Sequence, residues 1–312
     1  MSVPLLVIAG PTGVGKTAAA AALARRVPLE VVSADSRQVY RGMDAATGKP
    51  TSAERGAVAH HLIDVVDPDD RYHAARFRND ASALIADIRG RGRLPAVVGG
   101  TGLYIRALLR GLDPAPPADP ALRGELAEVL VRDGRAALHA RLAREAPALA
   151  RRLHPNDHVR VVRALERIRT PGAPAAPQER WARPAGEYAA FYVGLTMERG
   201  RLARRLRERA TAMADAGLAD EVARLLARGY DPSLPALQGI GYREFVQVIQ
   251  GRLDREEALR LMQRDTVRYA KRQWTWFSRE PDVHWLDVDL AGGSEGVAAI
   301  VEERLHERGL IG

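Results

Sequence analysis

Gly10-Pro11-Thr12-Gly13-Val14-Gly15-Lys16-Thr17 is the stretch that decides how this chain is read. It follows the apolar run Leu5-Leu6-Val7-Ile8-Ala9 and precedes an alanine-rich run from Ala18 to Arg26. Strand, glycine-rich loop and helix, in that order, are what the pattern G-x-x-x-x-G-K-[ST] requires. Glycines let the backbone wrap so that successive N–H groups point inward, and the start of the helix adds partial positive charge. Lys16 brings a full charge, and Thr17 a hydroxyl able to ligate Mg²⁺. The stretch therefore predicts a phosphate-binding loop formed by Gly10, Pro11, Thr12, Gly13, Val14, Gly15, Lys16 and Thr17. Which phosphate chain it holds has to come from elsewhere in the sequence.

The 312 residues leave room for about two domains. Hydrophobic residues make up 46% of the chain, ample for a core. No apolar run approaches the ~18 residues of a membrane span, so a soluble protein is expected. A strand begins within a few residues of the N-terminus, which leaves no room for a signal peptide. Cysteine is absent, which excludes disulfides, thiolate zinc sites and a cysteine nucleophile. The net charge of +8 suits a polyanion such as nucleic acid, and equally a merely basic protein. Lysine occurs only at Lys16, Lys49 and Lys271, so the lysine in the loop is not one of many.

Leu29 to Ser33 predicts a second strand, running into Ala34-Asp35-Ser36-Arg37-Gln38-Val39-Tyr40. His61 to Val66 is another apolar run. Tyr72 to Arg89 has helical spacing, with Phe77, Ala81, Leu84, Ile85 and Ile88 on one face. Leu94 to Val98 reads as a strand, followed by Gly99-Gly100-Thr101-Gly102-Leu103-Tyr104 and a helix to Leu109. Alternating strands and helices predict a doubly wound parallel α/β core. Prolines from Asp113 to Pro120 mark a linker, and Asp119-Pro120 suits a helix start. Residues 121–169 read as helical and arginine-rich, and 171–187 as a loop. Phe191 to Leu195 predicts a returning strand. Basic helices are expected at 198–228, 240–250 and 254–278, then a short strand at His284 to Val288 and a helix at 295–308. The expected organisation is a core over 1–112, a helical insertion over 113–188, and a return to the core with C-terminal helices over 189–312.

Ligands of open parallel sheets bind beyond the strand C-termini, so Asp35 falls on the same rim as the loop. Three readings stay open for it: a Mg²⁺ ligand, a general base, or a carboxylate capping a turn. Ser36, Arg37 and Gln38 beside it offer donors and acceptors for a base edge or a sugar. Thr101 is either a phosphate-binding hydroxyl or a plain helix N-cap. Asn156-Asp157-His158-Val159-Arg160-Val161-Val162-Arg163 reads as a capped helix whose Arg160 and Arg163 share a face. Tyr269-Ala270-Lys271-Arg272-Gln273-Trp274-Thr275-Trp276-Phe277 interleaves bases with aromatics, as unpaired nucleotides need. Core packing is favoured for its rings, and binding for Lys271 and Arg272. His60-His61 and His154/His158 raise the question of a metal, but Pro155-Asn156-Asp157 breaks the helix that would align the i, i+4 pair and no His-Glu-x-x-His pattern occurs, so no zinc site is expected.

Together these segments resemble the tRNA dimethylallyltransferase (tRNA isopentenyltransferase) family. The resemblance rests on the loop, Asp35 to Tyr40, Gly42-Met43-Asp44, Val98 to Tyr104, His154-Pro155-Asn156-Asp157, Gly239-Ile240-Gly241-Tyr242, Lys271-Arg272-Gln273 and Thr275-Trp276-Phe277, in family order over most of the chain. It implies a cytoplasmic enzyme that moves a dimethylallyl group from dimethylallyl diphosphate to N6 of the adenosine 3′-adjacent to the anticodon, acting as a monomer with Mg²⁺ on Thr17. The fold it implies is a P-loop NTPase-like core with a helical insertion and a helical C-terminal part. It also implies Asp35 as base, Thr101 and Arg123 as catalytic partners, and contacts to the tRNA anticodon stem-loop from Asp35, Ser36, Arg37, Gln38, Val159, Arg160, Val161, Val162 and Arg163. The sequence departs from the family's usual residues at Val14, Ala46, His158-Val159 and Ser278. The alternatives are a P-loop small-molecule kinase, a nucleic-acid NTPase, and a prenyltransferase acting on free adenine nucleotides. The large basic helical remainder speaks for tRNA.

Overall fold

The computed structural model describes residues 2–112, 119–169 and 187–312. Its contacts divide the chain into two units, Met1–Leu109 with Gly186–Gly312, and Arg110–Ala185. Most of the 171–187 stretch expected to be a loop, and most of the 113–120 linker, lie outside the described residues.

The first unit is built on six parallel strands: β1 (Val3–Ala9), β2 (Leu29–Ala34), β3 (His60–His61), β4 (Leu94–Gly99), β5 (Tyr188–Thr196) and β6 (His284–Asp287). Their order is β3-β2-β4-β1-β5-β6. The helices, in chain order, are α1 (Lys16–Ala24), α2 (Ser52–Ala57), α3 (Ala74–Gly90), α4 (Gly102–Arg110), α5 (Pro120–Glu145), α6 (Pro147–Ala150), α7 (His158–Arg169), α8 (Arg199–Met213), α9 (Ala219–Ala227), α10 (Tyr242–Ile249), α11 (Arg255–Phe277) and α12 (Gly293–Glu307). β1 is buried along most of its length and reads as a continuous apolar run, as a strand covered on both faces must. Alternate residues serve opposite layers. Leu5, Val7 and Ala9 join Phe77, Ala81, Ile85 and Ile88 of α3, while Leu6 and Ile8 join the alanines of α1 and Val297, Val301 and Leu305 of α12. Small side chains on α1 let it lie close to the sheet.

Register places the strand ends. Ala9 pairs with Gly99 across β1 and β4, and Ala34 pairs with the same Gly99 across β2 and β4. Three strands therefore end side by side, and the residues that follow them share one rim. Gly99 permits the close fit, since a Cβ there would lie 2.1 Å from the Ala34 carbonyl oxygen.

Two runs of the first unit take forms that periodicity did not specify. In the run from His61 to Val66, β3 covers only His60–His61. Leu62 and Asp64 take positive φ, and the run continues as a buried loop whose Val65 and Val66 amides donate to the Val39 carbonyl. The stretch 198–228 is not one helix, because a π-turn at Ala214–Leu218, with Gly217 at φ 97°, separates α8 from α9.

The second unit is helical. Asp119 caps α5 by accepting from the Leu122 amide, as its sequence predicts. Gly134, at φ 78° and ψ −179°, breaks α5 into two helical segments. Leu122, Leu126, Leu138, Leu142, Leu149, Val161 and Leu165 make a small core of their own.

Glu30 is a buried charge on β2. It accepts from Arg91 Nη2 at 2.7 Å and pairs with His61 Nε2 at 2.7 Å. The hydrogen bond from Arg91, outweighing the opposing cost of burial, pulls its pKa down to about 2. A carboxylate with a depressed folded pKa adds stability that is complete above its ordinary pKa and lost as pH falls through the folded value. Urea unfolding of the wild type and Glu30→Gln should therefore differ most above about pH 4.5 and converge as pH approaches about 2.

Candidate active site

The phosphate loop leaves β1 through Gly10, Gly13 and Gly15, all at positive φ. At Gly10 a Cβ would lie 2.5 Å from the Leu195 carbonyl oxygen, and at Gly13 it would lie 2.6 Å from Leu206 Cδ2 of α8. The loop is thus clamped between β5 and α8. Val14 turns its side chain into the core, so a hydroxyl there is not needed to shape the loop. Lys16 Nζ donates to the carbonyls of Gly10 at 3.0 Å and Pro11 at 2.9 Å. Burial lowers its pKa to about 8, with Asp35 pulling it up and Arg209 pushing it down.

Thr17, Lys16, Asp35, Gln38, Thr47 and Arg209 line a cavity of about 290 Å³ above the loop. Arg205 and Arg209, one turn apart on α8, add two cations to its wall. Burial, and then Arg205, depress the Arg209 pKa. An arginine stays charged despite such a shift, and the carboxylates of Asp35 and Glu54 offset part of its cost. Gly48, at φ 61°, makes room for it, since a Cβ there would lie 2.0 Å from Arg209 Nη2. The sequence reading missed both arginines. Its signal was the stripe Leu202, Leu206 and Ala210, which buries one face of α8 and leaves Arg205 and Arg209 on the flank.

A second cavity of about 300 Å³ adjoins the first and shares Thr12, Asp35, Thr47 and Arg209 with it. Leu206, Ala210, Met213, Ile240 and Met262 give it an apolar side, and Ser36, Arg37, Tyr269 and Arg272 a polar one.

Asp35 stands where the two cavities meet. Its Oδ1 accepts from the Arg37 amide at 2.8 Å and from the Gln38 amide at 3.4 Å, so it does cap a turn. Those bonds orient the carboxylate and leave Oδ2 without a partner among the described residues. Thr101 follows β4. Its Oγ1 accepts from the Ser36 amide at 3.0 Å, which joins the turn after β4 to the turn after β2. Tyr269 reaches the same hydroxyl, and burial raises its pKa to about 12.

The other expected contacts are distributed as follows. Arg37 Nη1 donates to the Pro235 carbonyl at 2.7 Å, and Gln38 bridges Ser33 and the Gly48 carbonyl. Lys271 and Arg272 are exposed on α11, while Phe277 is buried and Tyr269 and Trp274 are half-buried. In the helical unit, Asp157 caps α7 at the Arg160 amide. Val159 and Arg160 are exposed, Val162 is half-buried and Val161 is wholly buried, so the Val161 side chain serves the small core. Arg123 and Arg163 both bind the buried carboxylate of Glu166, Arg163 at 2.7 Å, which ties α5 to α7.

A protonated Lys16 would attract a diphosphate, and burial brings its pKa down to about 8. Affinity for inorganic diphosphate, measured by calorimetry relative to Lys16→Ala, should be level below that pH and decline above it. Arg209→Gln should weaken the same binding by about tenfold or more at pH 7, the scale of one charge-assisted hydrogen bond.

The family model described as IPP transferase matches residues 38–280, and that described as isopentenyl transferase matches residues 3–64. The chain is 47% identical over 295 residues to the tRNA dimethylallyltransferase of Desulforudis audaxviator, spanning 95% of each. It is 50% identical over 285 residues to tRNA dimethylallyltransferase 1 of Syntrophotalea carbinolica, spanning 91% of each. Among solved structures, the tRNA isopentenylpyrophosphate transferase of Bacillus halodurans aligns over 98% of both chains at 40% identity, with a TM-score of 0.72. A eukaryotic dimethylallyltransferase acting on tRNA aligns with a TM-score of 0.79 at 28% identity, covering 98% of this chain and 80% of that one. Loop, rim and relatives agree: the chain belongs to the tRNA dimethylallyltransferase family.

Proposed function

We propose that this enzyme transfers the dimethylallyl group of dimethylallyl diphosphate to N6 of the adenosine 3′-adjacent to the anticodon of a tRNA. The observation that carries the reading is the position of Asp35, with one oxygen fixed and the other free, between the phosphate-loop cavity and a second cavity with an apolar side. The diphosphate belongs over the loop, among Lys16, Arg205 and Arg209. The five-carbon group lies toward Leu206, Ala210 and Met213, and the adenine enters beside Ser36, Tyr269 and Arg272.

The amine lone pair of adenine is delocalised into the ring, so N6 is a weak nucleophile. Asp35 Oδ2 accepts the N6 proton as the N–C bond forms and the C–O bond to diphosphate breaks. Carbon becomes cation-like while negative charge grows on the leaving group, and the loop N–H groups, Lys16 and the two arginines stabilise that charge. Among the described residues no group of three carboxylate, histidine or cysteine ligands stands ready for a metal. The oxygen donors Thr17 and Glu54 in one cavity suit a Mg²⁺ that takes most of its ligands from phosphate and water. When bound on Thr17, Mg²⁺ would supply further charge neutralisation on the diphosphate. Arg123, held on Glu166, is read as a strut of the helical unit in place of a diphosphate ligand. The exposed Lys271, Arg272, Val159 and Arg160 are assigned to RNA. Their phosphate contacts offset the few kcal/mol that unstacking the target base costs.

Incubation with unmodified tRNA, dimethylallyl diphosphate and Mg²⁺, followed by digestion and mass spectrometry, should yield prenylated adenosine, with no hydrolysis of ATP offered in parallel. Phosphorylated small molecules without prenylated adenosine would instead identify a kinase. Asp35→Asn should lower kcat by about 10²–10⁴-fold with tRNA binding retained, as loss of a general base does. Full activity in that variant would remove Asp35 from the mechanism.

A further inference from the structure

Gln273 is a buried side chain on α11 that makes two bonds to two different parts of the rim. Its Oε1 accepts from the Thr12 amide of the phosphate loop at 2.8 Å. Its Nε2 donates to the Gly100 carbonyl, in the turn after β4, at 2.8 Å. The partners dictate which end of the amide is which, because Thr12 offers an N–H and Gly100 a carbonyl. A carboxylate in its place lacks the donor, an ammonium lacks the acceptor, and a hydrocarbon lacks both. Gly100 gives the amide its space, since a Cβ there would lie 2.2 Å from Nε2.

The ladder between β1 and β4 stops at Ala9 and Gly99. Beyond that pair the two chain segments diverge, one to hold the leaving group and the other to carry Thr101. Gln273 bridges them where the ladder no longer does. Its neighbours on the same face of α11 continue the match to the turn. Tyr269, four residues earlier, reaches Thr101, and Trp276, three residues later, sets its Nε1 edge against Gly102, where a Cβ would lie 2.1 Å from that atom.

We propose that Gln273 is a positioning residue that sets the separation between the loop gripping the diphosphate and the Thr101–Ser36–Asp35 side that receives the adenine amine. It touches neither substrate. It holds the two halves of the site at the distance over which the N–C bond forms. The inference rests on the transfer reading above. A misplacement of about 1 Å costs ~10²-fold in rate, so loss of the bridge falls on kcat and spares the binding of each substrate.

The test is steady-state kinetics of Gln273→Leu, Gln273→Glu and Gly100→Ala, expressed per folded enzyme from circular dichroism, with both KM values and the diphosphate released per prenyl group transferred. Gly100→Ala displaces the amide while leaving Gln273 in place, and Gln273→Glu keeps the acceptor for Thr12 should the leucine variant fail to fold. The expected result is a fall in kcat of about 10²-fold with both KM values within about threefold of wild type. The released-to-transferred ratio should also rise above its wild-type value. In the unaligned site the C–O bond still breaks, but water attacks the allylic carbon, loses a proton to solvent and gives the allylic alcohol. A merely structural role would lower the melting temperature and leave kcat per folded enzyme and the ratio unchanged, and that result overturns the proposal. A wild type that transfers nothing overturns the transfer reading itself, a result distinct from a variant that transfers normally.

Discussion

Ala9, Gly99 and Ala34 lie side by side because β1, β4 and β2 run parallel in adjoining register. Hydrogen-bonded ladders allow no other placement once the pairing is set, and a one-residue slip would turn every side chain to the opposite layer. The rim inherits that alignment. Gly10, Gly100 and Asp35 are each the first residue beyond their strand, so the phosphate loop, the Thr101 turn and the carboxylate arrive at one place although 90 residues of sequence separate Gly10 from Gly100. The bonds from Ser36 to Thr101 and from Thr12 through Gln273 to Gly100 extend the alignment past the end of the sheet.

The charge at the rim has a direction. Lys16, Arg205 and Arg209 gather over the loop and Asp35 stands at the boundary with the second cavity. Burial makes the two innermost cations less basic than they are in water, and the carboxylate partly reverses that for Lys16. A site with cations in excess on one side and an oriented carboxylate on the other favours negative charge developing over the loop while a proton leaves on the far side. That is the charge separation a prenyl transfer needs, and low-dielectric surroundings strengthen it.

The cavity wall formed by Ala46, Thr47, Gly48 and Lys49 is held from behind by a polar network in which Glu221 and Lys49 are buried. Glu221 accepts from the Asp44 and Ala45 amides and from the Tyr242 hydroxyl at 2.5 Å, and Lys49 binds the Tyr40 carbonyl and the carboxylates of Asp44 and Asp64. The network joins the segment around Gly42-Met43-Asp44 to the segment around Gly241-Tyr242. Gly241, at φ 92°, lets α10 begin against Ala46, where a Cβ would meet the alanine methyl at 2.8 Å.

The parallel α/β class, the glycine-rich loop and the rim position of Asp35 were all legible in the order of the amino acids. Each follows from local order: an apolar run, a glycine-rich turn, a helix, and side chains placed directly after strands. The cap at Asp119 and the buried face of α3 were legible for the same reason, since helical period and capping chemistry are properties of neighbouring residues. Packing between distant elements supplied the rest. Among many arginines it chose Arg205 and Arg209 to face the loop, and it held Arg123 and Arg163 on Glu166. It also drew Gln273 from 261 residues away onto the Thr12 amide. An arginine's partner, or an amide's, depends on which elements pack together, and no periodicity along one helix records what lies across from it.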